Sequence, residues 1–358
     1  MWAEGRCRYT TSRCRRTEDL PSSISRGVVR AFRSDTCDQA PDLISLIVRA
    51  TLQIPEGRVS TYGDIARGLG DVAASRAVGA VLAENTMPIG LPCHRVVFSD
   101  GRVGGREGER NGRERAVQLL RGERVPIEED RVVDLDSRRF TEFDVRPVLR
   151  NLAREQLRLS ERVSDRDDFS DLRYVAGIDV AYSSEVGFGA LCLMDALTDE
   201  IVEERLIERP VRFPYVPGYL GYREMAVVRD LFAKKEGIIY LIDGHGRSHP
   251  RRFGAASHLG VCLGVPTVGA AKSLLVGKEI PIDGRRTKVE VEGQTLAYGL
   301  TKGGKTRTYV SAGHRVSLET AVDICGRLME KSPVPMPLHR AHLVAGAARK
   351  RHQEREED

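Results

Sequence analysis

Ile238-Ile239-Tyr240-Leu241-Ile242-Asp243-Gly244-His245-Gly246 decides the fold of the larger part of this 358-residue chain. Five apolar residues in a row, without alternation, read as a strand buried on both faces. The strand ends on an acid at a glycine turn. Upstream, Tyr174-Val175-Ala176-Gly177-Ile178-Asp179-Val180-Ala181-Tyr182 reads as a second strand with one acid set among apolar residues. A buried, unpartnered carboxylate is costly, so each acid needs a partner. Two acids on neighbouring strands would offer hard oxygen ligands to Mg2+, with Mn2+ as a substitute. Glu224, in Gly221-Tyr222-Arg223-Glu224, strengthens the case for a metal site over a lone strand-end acid. Phosphodiester cleavage suits such a site, because bound metal activates water and holds the leaving oxygen. Helices are predicted over 223–234 and 255–263, an antiparallel meander over 171–209, and parallel strands after it. That is an α/β sheet of ribonuclease-H-like character.

The chain is too long for one ordinary core, so two domains are expected. Hydrophobic residues make up 41% and charged residues 30%, a globular composition. No apolar run approaches the length of a membrane span, and residues 1–16 are basic and polar without a secretory core. A cytoplasmic location without a membrane is the default expectation, and no protein partner is implied. The seven cysteines form no CxxC pair, which argues against a zinc site. A net charge of +5 is compatible with a polyanion partner without establishing one. Residues 1–40, with eight arginines, are expected to be a poorly ordered basic arm. A first compact region spans 41–126, a charged linker 127–144, a second region 145–348 and a charged tail 349–358.

In the first region, residues 43–52 read as an amphipathic helix. Thr61 is a plausible N-cap for a short helix through Ile65 and Leu69, ended by Gly68 and Gly70. A further helix is predicted over 74–84, giving a helix-turn-helix pattern. Beyond it, Pro92-Cys93-His94-Arg95 places a thiol beside an imidazole and a guanidinium. A thiol reacts as its thiolate, which nearby positive charge favours. The tetrapeptide alone fits a packed structural cysteine equally well.

Taken together, Ile54-Pro55-x-Gly57-x-Val59-x-Thr61-Tyr62-Gly63, Ala74-Ser75-Arg76-Ala77-Val78-Gly79, Asn85-x-x-Pro88-Ile89 and Pro92-Cys93-His94-Arg95-Val96-Val97 carry a family resemblance. They resemble the DNA-binding, cysteine-bearing domain of the O6-alkylguanine-DNA alkyltransferases, a winged helix-turn-helix. The resemblance implies that Cys93 accepts an alkyl group from O6 of a flipped guanine as a stable thioether, consuming the protein. It implies that His94 and Glu123 relay the thiol proton away through water. Arg76 would fill the gap left by the flipped base, Tyr62 would crowd the target's phosphate, and Asn85 would fix the turn beneath the cysteine. Two features depart from the family. The stretch 103–112 is charged and lacks the aromatic that usually lines the alkyl pocket, and the family's separate N-terminal domain is expected to be absent or cut to the first 40 residues.

A second resemblance covers about 145–347. Phe213-Pro214-Tyr215-Val216-Pro217-Gly218-Tyr219-Leu220-x-Tyr222-Arg223-Glu224, Asp243-Gly244-His245-Gly246-x-x-His249-Pro250-Arg251-Arg252, Pro266-Thr267-Val268-Gly269-x-x-Lys272 and Ser311-x-Gly313-His314-Arg315-Val316-Ser317 are similar to endonuclease V. That family nicks nucleic acid containing deoxyinosine at the second phosphodiester on the 3′ side of the lesion. The resemblance implies that Asp179 and Asp243 bind Mg2+ and that Glu224 and His314 complete the catalytic group. Lys272 and His249 would contact phosphate or stabilise charge, and Tyr215 would enter the base stack from a loop stiffened by two prolines. Arg251 and Arg252 would be phosphate contacts.

The main reading is therefore a two-part DNA repair protein, acting on DNA with alkylated guanine through Cys93 and on DNA with deoxyinosine through the acids. The alternative is a lesion-binding module without transfer, fused to a nuclease acting on inosine in DNA or RNA.

Overall fold

The structure, a computed structural model, describes residues 40–83, 90–105, 111–169, 171–183, 185–233, 236–303, 305–330 and 332–357. The arm over 1–39, Asn85 and the 106–110 part of the stretch after the cysteine lie outside the described residues.

Helix α1 (Leu43–Leu52) starts where the Asp42 carboxylate accepts the Ser45 N–H at 2.8 Å, and it turns Leu43, Ile44, Ile47 and Ala50 inward. Strand β1 (Ser60–Thr61) runs into α2 (Tyr62–Gly68). The cap expected at Thr61 is a full capping box: Thr61 Oγ1 accepts the Asp64 N–H, and Asp64 accepts the Thr61 N–H. Two helix-end donors are satisfied reciprocally. A 3-10 turn (Val72–Ala74), capped by Asp71, leads directly into α3 (Ser75–Ala83). Strand β2 (Val96–Val97) pairs parallel with β1, and the chain then turns tightly at Gly101 to bridge Val97 with Val103, which forms the wing. Helix α4 (Gly112–Gly122) closes this side, with Ala116, Val117 and Leu120 packed on Val59, Val97 and Val103.

Residues 127–144, expected as a linker, fold onto the first region. Strands β3 (Ile127–Glu128) and β4 (Arg131–Val132) form a hairpin, followed by α5 (Leu135–Arg138). The Val59 N–H donates to Arg138 O at 3.0 Å and the Phe140 N–H to Val59 O at 2.7 Å. Arg139 grips the Asp64 carboxylate with two hydrogen bonds of 2.8 and 2.7 Å. The charges that suggested a linker mark the outer face of this segment, while Ile127, Val132 and Phe143 hold it down. Helix α6 (Val148–Ser160) follows and inserts Leu149 into the core around α1.

The second region is a nine-stranded mixed sheet. Its strands are β5 (Tyr174–Ser183), β6 (Val186–Asp195), β7 (Ile201–Pro210), β8 (Ile238–Ile242), β9 (Thr267–Ala271), β10 (Lys278–Pro281), β11 (Arg286–Val291), β12 (Gln294–Lys302) and β13 (Lys305–His314), in the order β10-β11-β12-β13-β9-β8-β5-β6-β7. β5–β8 and β8–β9 are the parallel pairs, so the predicted meander and the later parallel strands are both present. The helices are α7 (Leu220–Val228), α8 (Ala255–Leu263), α9 (Leu318–Leu328) and α10 (Met336–Glu357). Helix α7 starts three residues before the predicted 223 and ends at Val228, six residues short of the predicted 234, and Glu224 lies within it. Residues 349–357, expected as a tail, continue α10. Among the described residues, no helix is long and apolar enough to cross a membrane.

The two regions share a core. Phe213, Val216, Tyr219 and Tyr222 belong to the same buried cluster as Leu43, Ile47, Ile65, Leu69, Val78 and Leu149. The Leu43 and Ile44 N–H groups at the start of α1 both donate to Arg212 O, at 3.0 and 3.3 Å. Beneath this cluster, His258 of α8 is fully buried against the rings of Tyr222 and Phe253, at 4.4 and 5.3 Å, with neither ring nitrogen hydrogen-bonded. Burial lowers its pKa from 6.5 to about 4. A histidine depressed in the fold contributes stability that is complete above its unfolded pKa and is lost as pH falls toward its folded one. Between pH 7 and 5 the cost of His258 is about 2 kcal/mol. Denaturant titrations at both pH values should show that His258→Phe reduces the acid-induced loss by about that amount. An unchanged loss would mean that His258 is not the titrating group.

Candidate metal centre and thiol site

The parallel register of β5 and β8 explains why two acids far apart in sequence meet. Ile178 lies opposite Ile242, so the next residues, Asp179 within β5 and Asp243 just past the end of β8, come side by side. The Asp243 N–H still reaches Ile178 O at 3.3 Å. A third group arrives from α10: His342 Nδ1 is 2.7 Å from Asp179 Oδ2. One ligand atom from each of Asp179, Asp243 and His342 lies within 4.8 Å of the others. Helix α10 comes this close because the β5 and β6 faces beneath it are small. A Cβ on Gly177 would lie 2.3 Å from the Pro337 carbonyl carbon, and Ala190 and Cys192 pack against Ala341 and Ala345.

Glu224, buried on α7, faces the same group. Burial first, then the charges of Asp179 and Asp243, push its pKa well above the ordinary carboxylate value. Asp179 is raised in the same way, by burial and then by Asp243, against the opposing pull of His342 and Lys272. Lys272, one residue past the end of β9, places Nζ 2.5 Å from Asp243 Oδ2, with its side chain half exposed. Lys272, His342 and Arg223 offset the mutual repulsion of these three carboxylates only in part, since Asp179 and Glu224 both stay raised. Two carboxylate oxygens and an imidazole nitrogen form a donor set that fits a divalent cation.

The structure thus brings together Asp179, Asp243, Glu224 and Lys272 of the sequence-derived residues, and it does not bring His314 among them. His314 ends β13 opposite Thr267, the first residue of β9, whereas Lys272 follows the last. Its Nδ1 accepts the Ser164 N–H at 3.2 Å, and burial lowers its pKa to about 4. His342, which no motif singled out, stands where His314 was expected. His249 is buried (4% exposed) at the base of the 214–218 loop, its pKa lowered by burial to about 3. Arg251 faces inward, donating to Gly218 O and Gln156 Oε1, so it braces that loop where a phosphate contact was expected. Tyr215 is 54% exposed at the loop's tip, between buried Phe213 and Val216.

In the first region, Cys93 opens a 3-10 turn (Cys93–Arg95) just ahead of β2, partly buried against the core. His94 Nε2 is 2.8 Å from Glu123 Oε1, and Arg95 holds both oxygens of Glu123 through bonds of 2.7 to 3.0 Å. Burial opposes ionisation of Glu123, but the hydrogen bonds from Arg95 and His94 outweigh it and keep its carboxyl below the ordinary value. Tyr62 sits close enough that Cys93, second to burial, raises its pKa. Its ring meets Phe98 at 5.4 Å, and a Cβ on Gly104 would lie 2.9 Å from the Tyr62 hydroxyl. The aromatic near the cysteine is thus Tyr62, with Phe98, just past β2, against its ring. Arg76 is exposed at the start of α3.

The Endonuclease V family profile matches residues 157–343, and that of the 6-O-methylguanine DNA methyltransferase DNA binding domain matches 44–125. The Bifunctional methyltransferase/endonuclease of Picrophilus torridus is 35% identical over 304 residues, covering 85% of this chain and 96% of that protein. Its namesake from Thermoplasma volcanium is 34% identical and covers 81% and 84%. Among solved structures, Endonuclease V of Streptomyces avermitilis aligns with a TM-score of 0.52 at 34% identity, over 57% of this chain and 94% of that one. Endonuclease V of Ciona intestinalis, in complex with a 24mer DNA containing an inosine followed by a ribo-adenosine, aligns at 0.51 and 28%, over 57% and 99%. The chain belongs to the endonuclease V family and, with its second domain, to the bifunctional methyltransferase/endonucleases.

Proposed function

We propose that this protein repairs DNA in two ways, in the cytoplasm: transfer of alkyl groups from O6-alkylguanine to Cys93, and Mg2+-dependent nicking at the second phosphodiester 3′ of deoxyinosine. The convergence of Asp179, Asp243 and His342 carries the nuclease reading. Bound Mg2+, or Mn2+ in its place, supplies activated water and neutralises charge on the scissile phosphate. Asp179 and Asp243 would hold the ion, His342 fixes Asp179 and faces the same point, and Glu224 would take a proton from the attacking water. Lys272 leaves Asp243 to face the phosphate. Tyr215 fills the stack as the lesion base leaves.

In the transfer, Cys93 Sγ forms a bond to the alkyl carbon while the carbon–O6 bond breaks and its electron pair stays on the guanine. The thiol proton passes through water to His94, whose positive charge Glu123 balances, and the guanine takes up a proton in its turn. Arg76 on α3 holds the gap left by the flipped base, and Tyr62 crowds the phosphate.

A duplex with one deoxyinosine, supplied with Mg2+ and mapped at its product ends, tests the nuclease half. His342→Ala should slow nicking about a hundredfold and His314→Ala no more than about tenfold. The reverse ranking would restore His314 to the site. A matched RNA cut in preference to DNA would favour the RNA-directed alternative, and no cutting of either would overturn the reading.

A further inference from the structure

One hydroxyl joins the helix-turn-helix to the nuclease loop. Tyr219, at the foot of the 214–218 loop, is fully buried in the shared core. Its hydroxyl donates to Asp71 Oδ2 at 2.6 Å and lies 3.2 Å from Leu149 O. The other oxygen of Asp71 accepts the Ala73 N–H at 2.9 Å, capping the turn that runs into α3. A single carboxylate thus holds both the entry to α3 and the foot of the loop that carries Tyr215. On the Tyr219 ring itself, the Arg251 guanidinium stacks at 4.5 Å and donates to Gly218 O at 2.6 Å. Gln156 of α6 donates to the same oxygen at 3.0 Å. Gly218 has φ +83°, and a Cβ there would lie 2.8 Å from Arg251 Nη2, so the loop closes only on a glycine.

We propose that Asp71 and Tyr219 are positioning residues for nicking, by which the N-terminal half fixes the aim of the nuclease's wedge. This rests on the deoxyinosine-nicking reading above. An aromatic wedge acts only if it occupies the stack as the base swings out. A loop with a free foot populates the competent pose less often, and the effective rate falls by that fraction. The loss falls on substrates whose stack must be opened. Single-stranded DNA has no paired duplex to open, so it escapes most of the loss.

The test compares kcat/KM for deoxyinosine in a duplex with that for the same strand alone. Tyr219→Phe keeps the ring, the core packing and the Arg251 stack and removes only the hydroxyl. Asp71→Ala removes the partner, from the half of the chain that has no nuclease residues. Both should lower the duplex-to-single-strand ratio about tenfold. Asp71→Asn should restore it, because the amide oxygen still caps Ala73 while the amide N–H donates to the tyrosine oxygen. Equal losses on both substrates, or no change in the ratio, would overturn the proposal. Wild-type protein cutting neither substrate would instead overturn the nuclease reading beneath it.

Discussion

Asp179→Ala should reduce nicking at deoxyinosine by at least about a thousandfold while alkyl transfer to Cys93 continues at the wild-type rate. The size follows from what converges on this side chain. Asp179 is the carboxylate that His342 touches, and it lies beside Asp243 in the parallel register of β5 and β8. Removing it takes an oxygen ligand from the proposed ion and leaves His342 facing an apolar methyl. The fold should tolerate the change, because burial and the neighbouring Asp243 make the ionised side chain a local cost. Loss of both nicking and transfer would mean that the substitution had unfolded the chain. Nicking kept within tenfold would remove Asp179 from the site.

Cys93→Ser should abolish transfer of label from O6-methylguanine DNA, by at least about a thousandfold, and leave nicking unchanged. Serine nearly matches the thiol in size, so the packing of the 93–95 turn on the core survives. What is lost is the nucleophile: an alcohol is far weaker than a thiolate, and the proposed relay through the His94–Glu123 pair, 2.8 Å apart, serves a thiol proton. Label recovered on the serine variant would place the acceptor elsewhere. Binding without transfer by the wild type would favour the lesion-sensing alternative.

The apolar run at 238–242 and the helix at 255–263 were legible to the residue, because each is buried on every side and its composition tracks burial. Asp179 and Asp243 were legible for the same reason, since an acid inside such a strand contradicts its surroundings. His342 was not. It lies 163 residues from Asp179, and only the close packing of α10 on Gly177, Ala190 and Cys192 brings it there. The one local trace is the small residue on the same helical face, Ala341 and Ala345, which marks a helix that approaches a sheet closely. His314 was misleading because it stands in a dense run of motif residues, but register with Thr267 places it at the wrong end of β9. The 127–144 segment misled through its charge, because a thin layer folded onto a domain exposes its polar face in the same way as a linker. The shared core between the halves was hidden as well: Phe213, Val216 and Tyr219 read as parts of the nuclease loop, and nothing local indicates that their partners are α1, α2 and α3.

The central claim, two separate chemistries on one chain, is tested most directly by crossing the two variants with the two assays. Asp179→Ala and Cys93→Ser are each incubated with labelled O6-methylguanine DNA and with a deoxyinosine duplex and Mg2+. Asp179→Ala should carry label on Cys93 and cut nothing, and Cys93→Ser should cut the duplex and carry no label. Either variant keeping both activities, or losing the other site's activity while its fold stays intact, would contradict the account.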